Sequence, residues 1–404
     1  MISSRRATVL LAGLGVLATP RSAGAYPWMI RHGYNGCGVC HVDPSGSGLL
    51  TAYGRAQSEL SLATRFAGET ADEASAASQF AFGLLTLPEW LLLGFSYRGA
   101  ELWVRATNQD AAGNPLPVTH DARFVQMVAD LRMGLRVSRF RASATVGWAP
   151  QQASAISLTS RSSNNVTSRE HWIGWELGED GGLIRAGRIP LPFGLRNVEH
   201  TSWVRAATAT DVNQGQQAGL SLYLGDERFR GEIMLIAGNF QLSPDEYRER
   251  GYSGYIEASV GRSATVGLSS KITRAERDRS TGQPTLRQAH GGFVRWAVHP
   301  SVALLAEGDA LIVTPLGTGQ VQSGAAAWLQ LDWEPLSGLH LAPALEALRQ
   351  YGDAGTASFG QWLTLDWFVH SHVELRFDLT FRQVPPWRGS PSSVVALAQI
   401  HVLL

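Results

Sequence analysis

From Leu91 to Leu404 the chain is written in short segments in which apolar residues alternate with polar ones. The clearest runs from His372 to Arg382. His372, Glu374, Arg376, Asp378, Thr380 and Arg382 share one face, and Val373, Leu375, Phe377, Leu379 and Phe381 share the other. A period of two divides residues between two faces only in an extended strand. In a second segment Gln126, Asp130, Arg132 and Arg136 oppose Val125, Met127, Leu131, Met133, Leu135 and Val137. About sixteen such segments can be marked. They start near Leu91, His120, Arg139, Ser168, Gly182, Gly215, Glu227, Gly251, Ser263, Leu286, Ser301, Gln320, Ser337, Ala357, His372 and Ser392.

The connections alternate in length. Short ones fall at Ser138, Glu179-Asp180-Gly181, Gly225-Asp226, Gly261-Arg262, His299-Pro300, Glu334-Pro335 and Ser371. Long ones include Asn108–Thr119, Pro150–Thr167, Leu191–Asn213, Phe240–Arg250, Arg274–Thr285 and Gln383–Pro391. Short turns at one end and long loops at the other are the outer-membrane barrel pattern. A soluble sheet with one wet face alternates as well. Three features favour the membrane: an even strand number that can close without an edge, the recurring loop asymmetry, and aromatic residues near strand ends at Trp90, Trp148, Trp333 and Trp367, where interfacial girdles lie. A polar lumen face accounts for a mean hydropathy of only −0.06. The expectation for 91–404 is therefore an all-β, transmembrane, antiparallel barrel of about sixteen strands, with a wet lumen.

The N-terminus predicts export. Arg5 and Arg6 precede an apolar run from Ala7 to Ala18, and Ser22-Ala23-Gly24-Ala25 reads as a cleavage site before Tyr26. The run is too short to span about 30 Å of hydrocarbon as a helix. Residues 1–25 are thus a signal peptide, and with the barrel they predict the outer membrane of a Gram-negative bacterium. The whole chain carries 34 basic and 34 acidic residues. The signal takes Arg5, Arg6 and Arg21 with it, which leaves the mature chain slightly acidic and without the concentrated basic surface of a nucleic-acid binder.

Two cysteines are present in all, and they lie in Cys37-Gly38-Val39-Cys40-His41. In an exported protein a cysteine pair usually means a disulfide, but C-x-x-C-H is the c-type haem attachment signature. Each thiol adds to one vinyl group of the porphyrin edge, and the adjacent imidazole ligates iron. Zinc would need further cysteines or histidines. Candidate distal ligands are Met29, eight residues before Cys37, and His32, five before. Extended spans of about 27 Å and about 17 Å let either reach round the ring. A barrel histidine or an open site are the other readings. Asp43-Pro44-Ser45-Gly46-Ser47-Gly48 is a turn cluster, after which Leu49, Leu50 and Tyr53 can cover a haem face and Arg55 can meet a propionate. Residues 26–66 form this monohaem segment and 67–90 a linker. So small a segment is marginal as an independent core and needs cover from elsewhere.

A signal peptide, one C-x-x-C-H segment and a porin-sized barrel together resemble the fused outer-membrane monohaem cytochrome c–porin family, whose members include iron oxidases of iron-oxidising bacteria. At residue level the resemblance rests on Tyr26-Pro27, Cys37-Gly38-Val39-Cys40-His41 and Tyr53-Gly54-Arg55. Separately, Gly187-Arg188-Ile189-Pro190-Leu191-Pro192-Phe193-Gly194-Leu195 is similar to a stretch of phosphate-selective-type porins. The cytochrome–porin resemblance implies one covalent haem c held in the lumen. It implies electron passage between an extracellular donor and a periplasmic carrier such as a c-type cytochrome; inward flow from Fe(II), as in a ferrous iron:cytochrome c oxidoreductase, is the first choice, and outward flow to an extracellular acceptor the second. It does not fix the donor. The competing class is a solute-transporting porin with a haem-bearing plug or sensor, in which Arg132, Arg376 and Asp378 select solutes. A haem peroxidase would need distal acid–base residues, and no sequence cluster supplies them.

Overall fold

The computed structural model of the chain describes residues 26–46, 48–64 and 79–404, apart from 111–112, 149–165, 179–180, 198, 200, 212–214, 239–247, 279–280, 353–355 and 385–390. The expected signal peptide and the first part of the expected linker lie outside the described residues.

Sixteen strands follow one another: β1 Leu91–Thr107, β2 Thr119–Val137, β3 Phe140–Trp148, β4 Val166–Leu177, β5 Gly182–Ile189, β6 Gln217–Gly225, β7 Phe229–Gly238, β8 Glu249–Val260, β9 Ala264–Ala275, β10 Thr285–His299, β11 Val302–Pro315, β12 Gln322–Leu336, β13 Leu339–Arg349, β14 Ser358–His370, β15 Val373–Gln383 and β16 Ser392–Leu403. Each expected start falls within two residues of an observed one. Every strand pairs with its sequence neighbours, and β1 pairs antiparallel with β16 from Ser96↔Leu403 to Thr107↔Ser392, so the barrel is closed. Closure removes the open edge that hydrocarbon does not tolerate.

The faces follow the alternation. On β15, Glu374, Arg376, Asp378 and Thr380 are buried, whereas Leu375, Phe377, Leu379 and Phe381 stand exposed on the outer surface. On β2 the reading is corrected at one point. The register with β1 shifts between Arg98 and Gly99, so that Arg98 faces Val128 while Gly99 faces Gln126. The bulge at Met127 inverts the phase and puts Gln126 on the face of exposed Phe124 rather than with buried Asp130.

Turns and loops alternate as expected, which gives the barrel a turn end and a loop end. Exposed Trp90, Trp175, Trp296, Trp333 and Trp367 ring the turn end, and Trp148 lies at the loop end. This is the interfacial girdle of a membrane barrel. No helix among the described residues is long and apolar enough to cross a membrane; the chain crosses with strands.

Among the described residues, two pieces of chain enter the lumen and pack against its wall. The N-terminal segment, 26–64, enters from the turn end: Thr64 N donates to Phe368 O at 2.8 Å, Ser58 Oγ to Ser371 O at 3.4 Å, and Thr64 Oγ1 to Ser337 O at 3.0 Å. The long connection 190–216 folds inward from the loop end. Pro190 and Pro192 stop β5, because a proline cannot donate to the ladder. Gly194 N then donates to Ser269 Oγ at 2.8 Å, Leu195 N to Glu307 Oε2 at 2.9 Å and Trp203 N to Glu346 Oε2 at 2.8 Å, and Arg205 is ion-paired with Glu307. The two insertions meet in one apolar cluster: Trp28, Met29 and Ile30 from the plug, Phe193, Leu195 and Val204 from the loop, and Tyr255, Phe293, Leu305, Trp328 and Phe368 from the wall.

Candidate functional site

The plug is built of short local turns. Pro27–His32 forms a 3-10 turn with proline at its start, ended by Gly33 at φ 86°. After a second turn, Cys37–Val39, the backbone N–H groups of Cys40 and His41 both donate to Cys37 O, at 3.1 and 3.0 Å. This folds the C-x-x-C-H residues into one compact loop. Asp43 Oδ1 then accepts from Ser45 N at 2.8 Å and Ser45 Oγ at 2.7 Å, a side-chain-made turn. The chain returns so that Val42 N donates to Leu49 O and Thr51 N to Cys40 O, both at 2.9 Å, with His41 bridged to Leu50. Gly46 has φ 93°, and a Cβ there would stand 2.9 Å from Cys37 Cβ. The turn cluster therefore holds the backbone against the first cysteine. Thr51 caps the helix α1, Ala52–Gln57.

The wall grips this segment with buried charge. Arg185 on β5 lies between Asp43, at 2.8 Å, and Glu232 on β7. Arg31 is ion-paired with Asp332 and lies 2.9 Å from Glu334, both on β12, with His340 on β13 3.0 Å from Asp332. Breaking such a buried pair by removing one partner costs about 3–5 kcal/mol.

Cys37 and Cys40 are both buried and are not joined to each other. Burial, with Cys37 beside it, pushes the Cys40 thiol up to about 12, which disfavours a thiolate centre. Among the described residues no three His, Cys, Asp or Glu side chains gather as a metal site. Two free thiols and an imidazole brought into one loop are instead the donor set that covalent haem attachment uses, so these residues fit that group.

The expected accessory residues separate. Met29, 1% exposed, belongs to the central apolar cluster. His32 accepts from Arg31 Nε at 3.3 Å and lies 3.8 Å from Glu334; burial and the Arg31 charge lower its imidazole to about 4, so it is neutral near pH 7. Leu49 is buried against the wall, and Tyr53, exposed, is hydrogen-bonded to Tyr34. Arg55 donates to Leu93 O on β1 and lies 5.8 Å from the centre of the Phe80 ring. It is thus spent on holding the plug to the barrel.

Beside Cys37 lies a group that the sequence did not disclose. Glu257 on β8 receives three guanidiniums: Arg196 from the inward loop at 3.1 Å, Arg230 from β7 at 3.0 Å and Arg295 from β10 at 2.7 Å. Arg295 also donates to Asn35 O at 2.9 Å, and a Cβ on Gly36 would stand 3.1 Å from Arg230 Cδ. Arg196 lies 3.9 Å from the centre of the Tyr255 ring. From sequence Arg230, Glu257 and Arg295 each read as one more strand residue, and Arg196 as part of a long external loop. Their convergence depends on the register of three strands and on the inward fold of a loop.

Similarity to known structures agrees with the barrel. The chain is similar to OmpT of Vibrio cholerae in its trimer form (TM-score 0.56, 9% identity, 77% of this chain and 98% of that one). It is likewise similar to an anion-selective porin from Comamonas acidovorans (0.54, 12%, 78% and 99%) and to OprB of Pseudomonas putida (0.54, 11%, 78% and 94%). The fold is that of an outer-membrane porin. No protein-family model matches the chain, and no curated protein matches it. At these identities the likeness carries the architecture and leaves the plug's chemistry to its own residues.

Proposed function

We propose that the protein is an outer-membrane electron conduit that carries one haem c on Cys37 and Cys40, with His41 as proximal iron ligand. The observation that carries the reading is that a C-x-x-C-H loop lies inside a closed barrel, with both thiols buried and free. A haem bound there would supply one-electron transfer. The chain's own residues do the rest. Arg31, Asp43 and their wall partners fix the plug, and on this reading the apolar cluster around Trp28 and Phe193 would keep bulk water and solutes from passing. Met29 and His32 are the distal candidates; methionine would give the higher potential. Inward flow from ferrous iron outside to a periplasmic carrier is the direction favoured by the resemblance, and makes the protein a ferrous iron:cytochrome c oxidoreductase.

The test uses vesicles that contain the protein and enclose oxidised cytochrome c. With ferrous iron outside, the enclosed carrier should become reduced without leakage of small solutes, and His41→Ala should abolish this. A stronger external reductant extends the test to other donors. Failure with both, in vesicles shown to hold haem-loaded barrel, ends the reading. The second reading, a solute porin with a haem-bearing plug, is favoured by the likeness to an anion-selective porin and by the many arginines facing the lumen; it predicts solute entry that does not depend on His41.

A further inference from the structure

The plug shows an uncharged surface at the turn end. The exposed residues of the described plug are Gly33, Gly38, Val39, Ala52, Tyr53 and Leu60, and none carries a charge. Arg31, Asp43 and Glu59 are buried, and Arg55 is half-buried. The segment that leads into β1 adds Phe82, Leu84 and Leu85, all exposed, Leu84 at 83%. Contacts join these residues into one surface. Thr51 Oγ1 donates to Val39 O at 3.3 Å and caps the helix that carries Tyr53. Arg55 of that helix lies over the Phe80 ring. Phe82 rests with its ring centre 4.5 Å from that of His372, beside Ser371, whose carbonyl accepts from Ser58. Gly38 and Val39 are the two residues between the cysteines, so the surface includes the attachment loop while the thiols behind it are buried. Contiguous exposed apolar residues mark an interaction site, and the middle of a protein–protein interface is depleted of charge. In an outer-membrane barrel the short turns lie on the periplasmic side.

We propose that this surface docks the periplasmic electron carrier, and that the carrier meets it with an equally uncharged, apolar collar around its own redox centre. The proposal rests on the haem reading above. A carrier seated on Val39 touches the attachment loop itself, with no barrel strand between. One electron then reduces the carrier's oxidised centre as the plug's ferrous iron becomes ferric; no proton or group moves. Charged collars speed encounter through an attraction that salt screens, whereas an uncharged collar gives a rate that salt hardly changes. A lipid leaflet is the rival occupant of an apolar surface, and the test separates the two.

The test uses purified, haem-bearing, reduced protein, with oxidised cytochrome c as the probe carrier and ferricyanide as a small oxidant that needs no docking surface. Leu60→Glu and Leu84→Glu put charge into the surface away from the cysteines. Val321→Glu, exposed at the loop end, is the control. Stopped-flow rates with cytochrome c should fall about tenfold in the two surface variants and keep the parent value in Val321→Glu, while all ferricyanide rates stay unchanged. The parent rate with cytochrome c should change less than about twofold between about 0.01 and about 0.1 M salt, over which the Debye length falls from about 30 to about 10 Å. Hydrogen exchange should show added protection at 38–39, 52–53 and 82–85 when cytochrome c is present. Covalent haem with parent-like cytochrome c rates in both surface variants overturns the proposal alone, as does a rate that falls steeply with salt or a ferricyanide rate that falls as far as the cytochrome c rate. Protection of the same peptides on transfer from detergent to lipid, before any carrier is added, assigns the surface to the membrane and also overturns it. A parent protein without covalent haem overturns the proposal together with the reading beneath it.

Discussion

Leu49 fills a notch that Gly94 leaves in the barrel wall: a Cβ built on Gly94 would stand 2.6 Å from Leu49 Cδ1. Gly134, on the neighbouring strand, completes the notch, with its Cβ position 2.8 Å from Leu49 Cδ2. The plug is thus keyed to β1 and β2 by shape as well as by charge. Leu49→Ala should cost roughly 2–5 kcal/mol, the range for emptying a packed apolar site. Hydrogen exchange followed by mass spectrometry should show lost protection across residues 42–54 and an unchanged barrel. Unchanged protection in the plug would mean that the notch does not hold it.

Covalent attachment needs both thiols. Cys37→Ala with Cys40→Ala should abolish haem stain on a denaturing gel, while the barrel, whose pairing involves neither residue, keeps its heat-modifiable mobility. Undiminished stain in the double variant would refute the site.

The two faces of β15 should answer substitution by different physics. Leu375, 40% exposed on the outer surface, faces lipid, so Leu375→Arg should cost about 2–4 kcal/mol if near the midplane. Arg376 is enclosed with Asp378 at 2.9 Å and Glu199 at 3.2 Å. Arg376→Leu leaves those carboxylates buried without their cation, at about 3–5 kcal/mol. Folding titrations in lipid measure both. A negligible cost for Arg376→Leu would indicate a wetter interior than the packing describes.

The inward loop is held by Glu307, which accepts from Leu195 N and Arg205. Hydrogen bonds to a charged group are worth roughly 1.5–3 kcal/mol each. Glu307→Ala should therefore loosen 190–216 and raise single-channel conductance in planar bilayers. A conductance equal to that of the parent would show that the plug alone seals the lumen.

The wall was legible in the sequence because period-two patterning acts residue by residue: His372 to Arg382 states its own faces, and no distant residue can alter them. Gln126 was misassigned because a bulge changes phase without leaving a mark in composition. The contents of the lumen were legible only in part. Cys37, Cys40 and His41 announce themselves by spacing, but Leu191–Asn213 read as one more external loop. Its inward course is decided by partners far along the chain, Ser269, Glu307 and Glu346. For the same reason the Glu257 cluster could not be read from the sequence, since its arginines come from β7, β10 and that loop.

Enclosure also dictates an order of events in the making of the protein. The ring closes only when β16, the last strand of the barrel, pairs with β1. Once it has closed, the thiols of Cys37 and Cys40 are buried behind the wall, at 9% and 1% exposure. On the proposed haem reading, cofactor loading would then precede closure, on the emerging N-terminus between export and insertion. A chain that closed first would stay empty on that reading, so the pace of barrel closure would limit the yield of competent molecules.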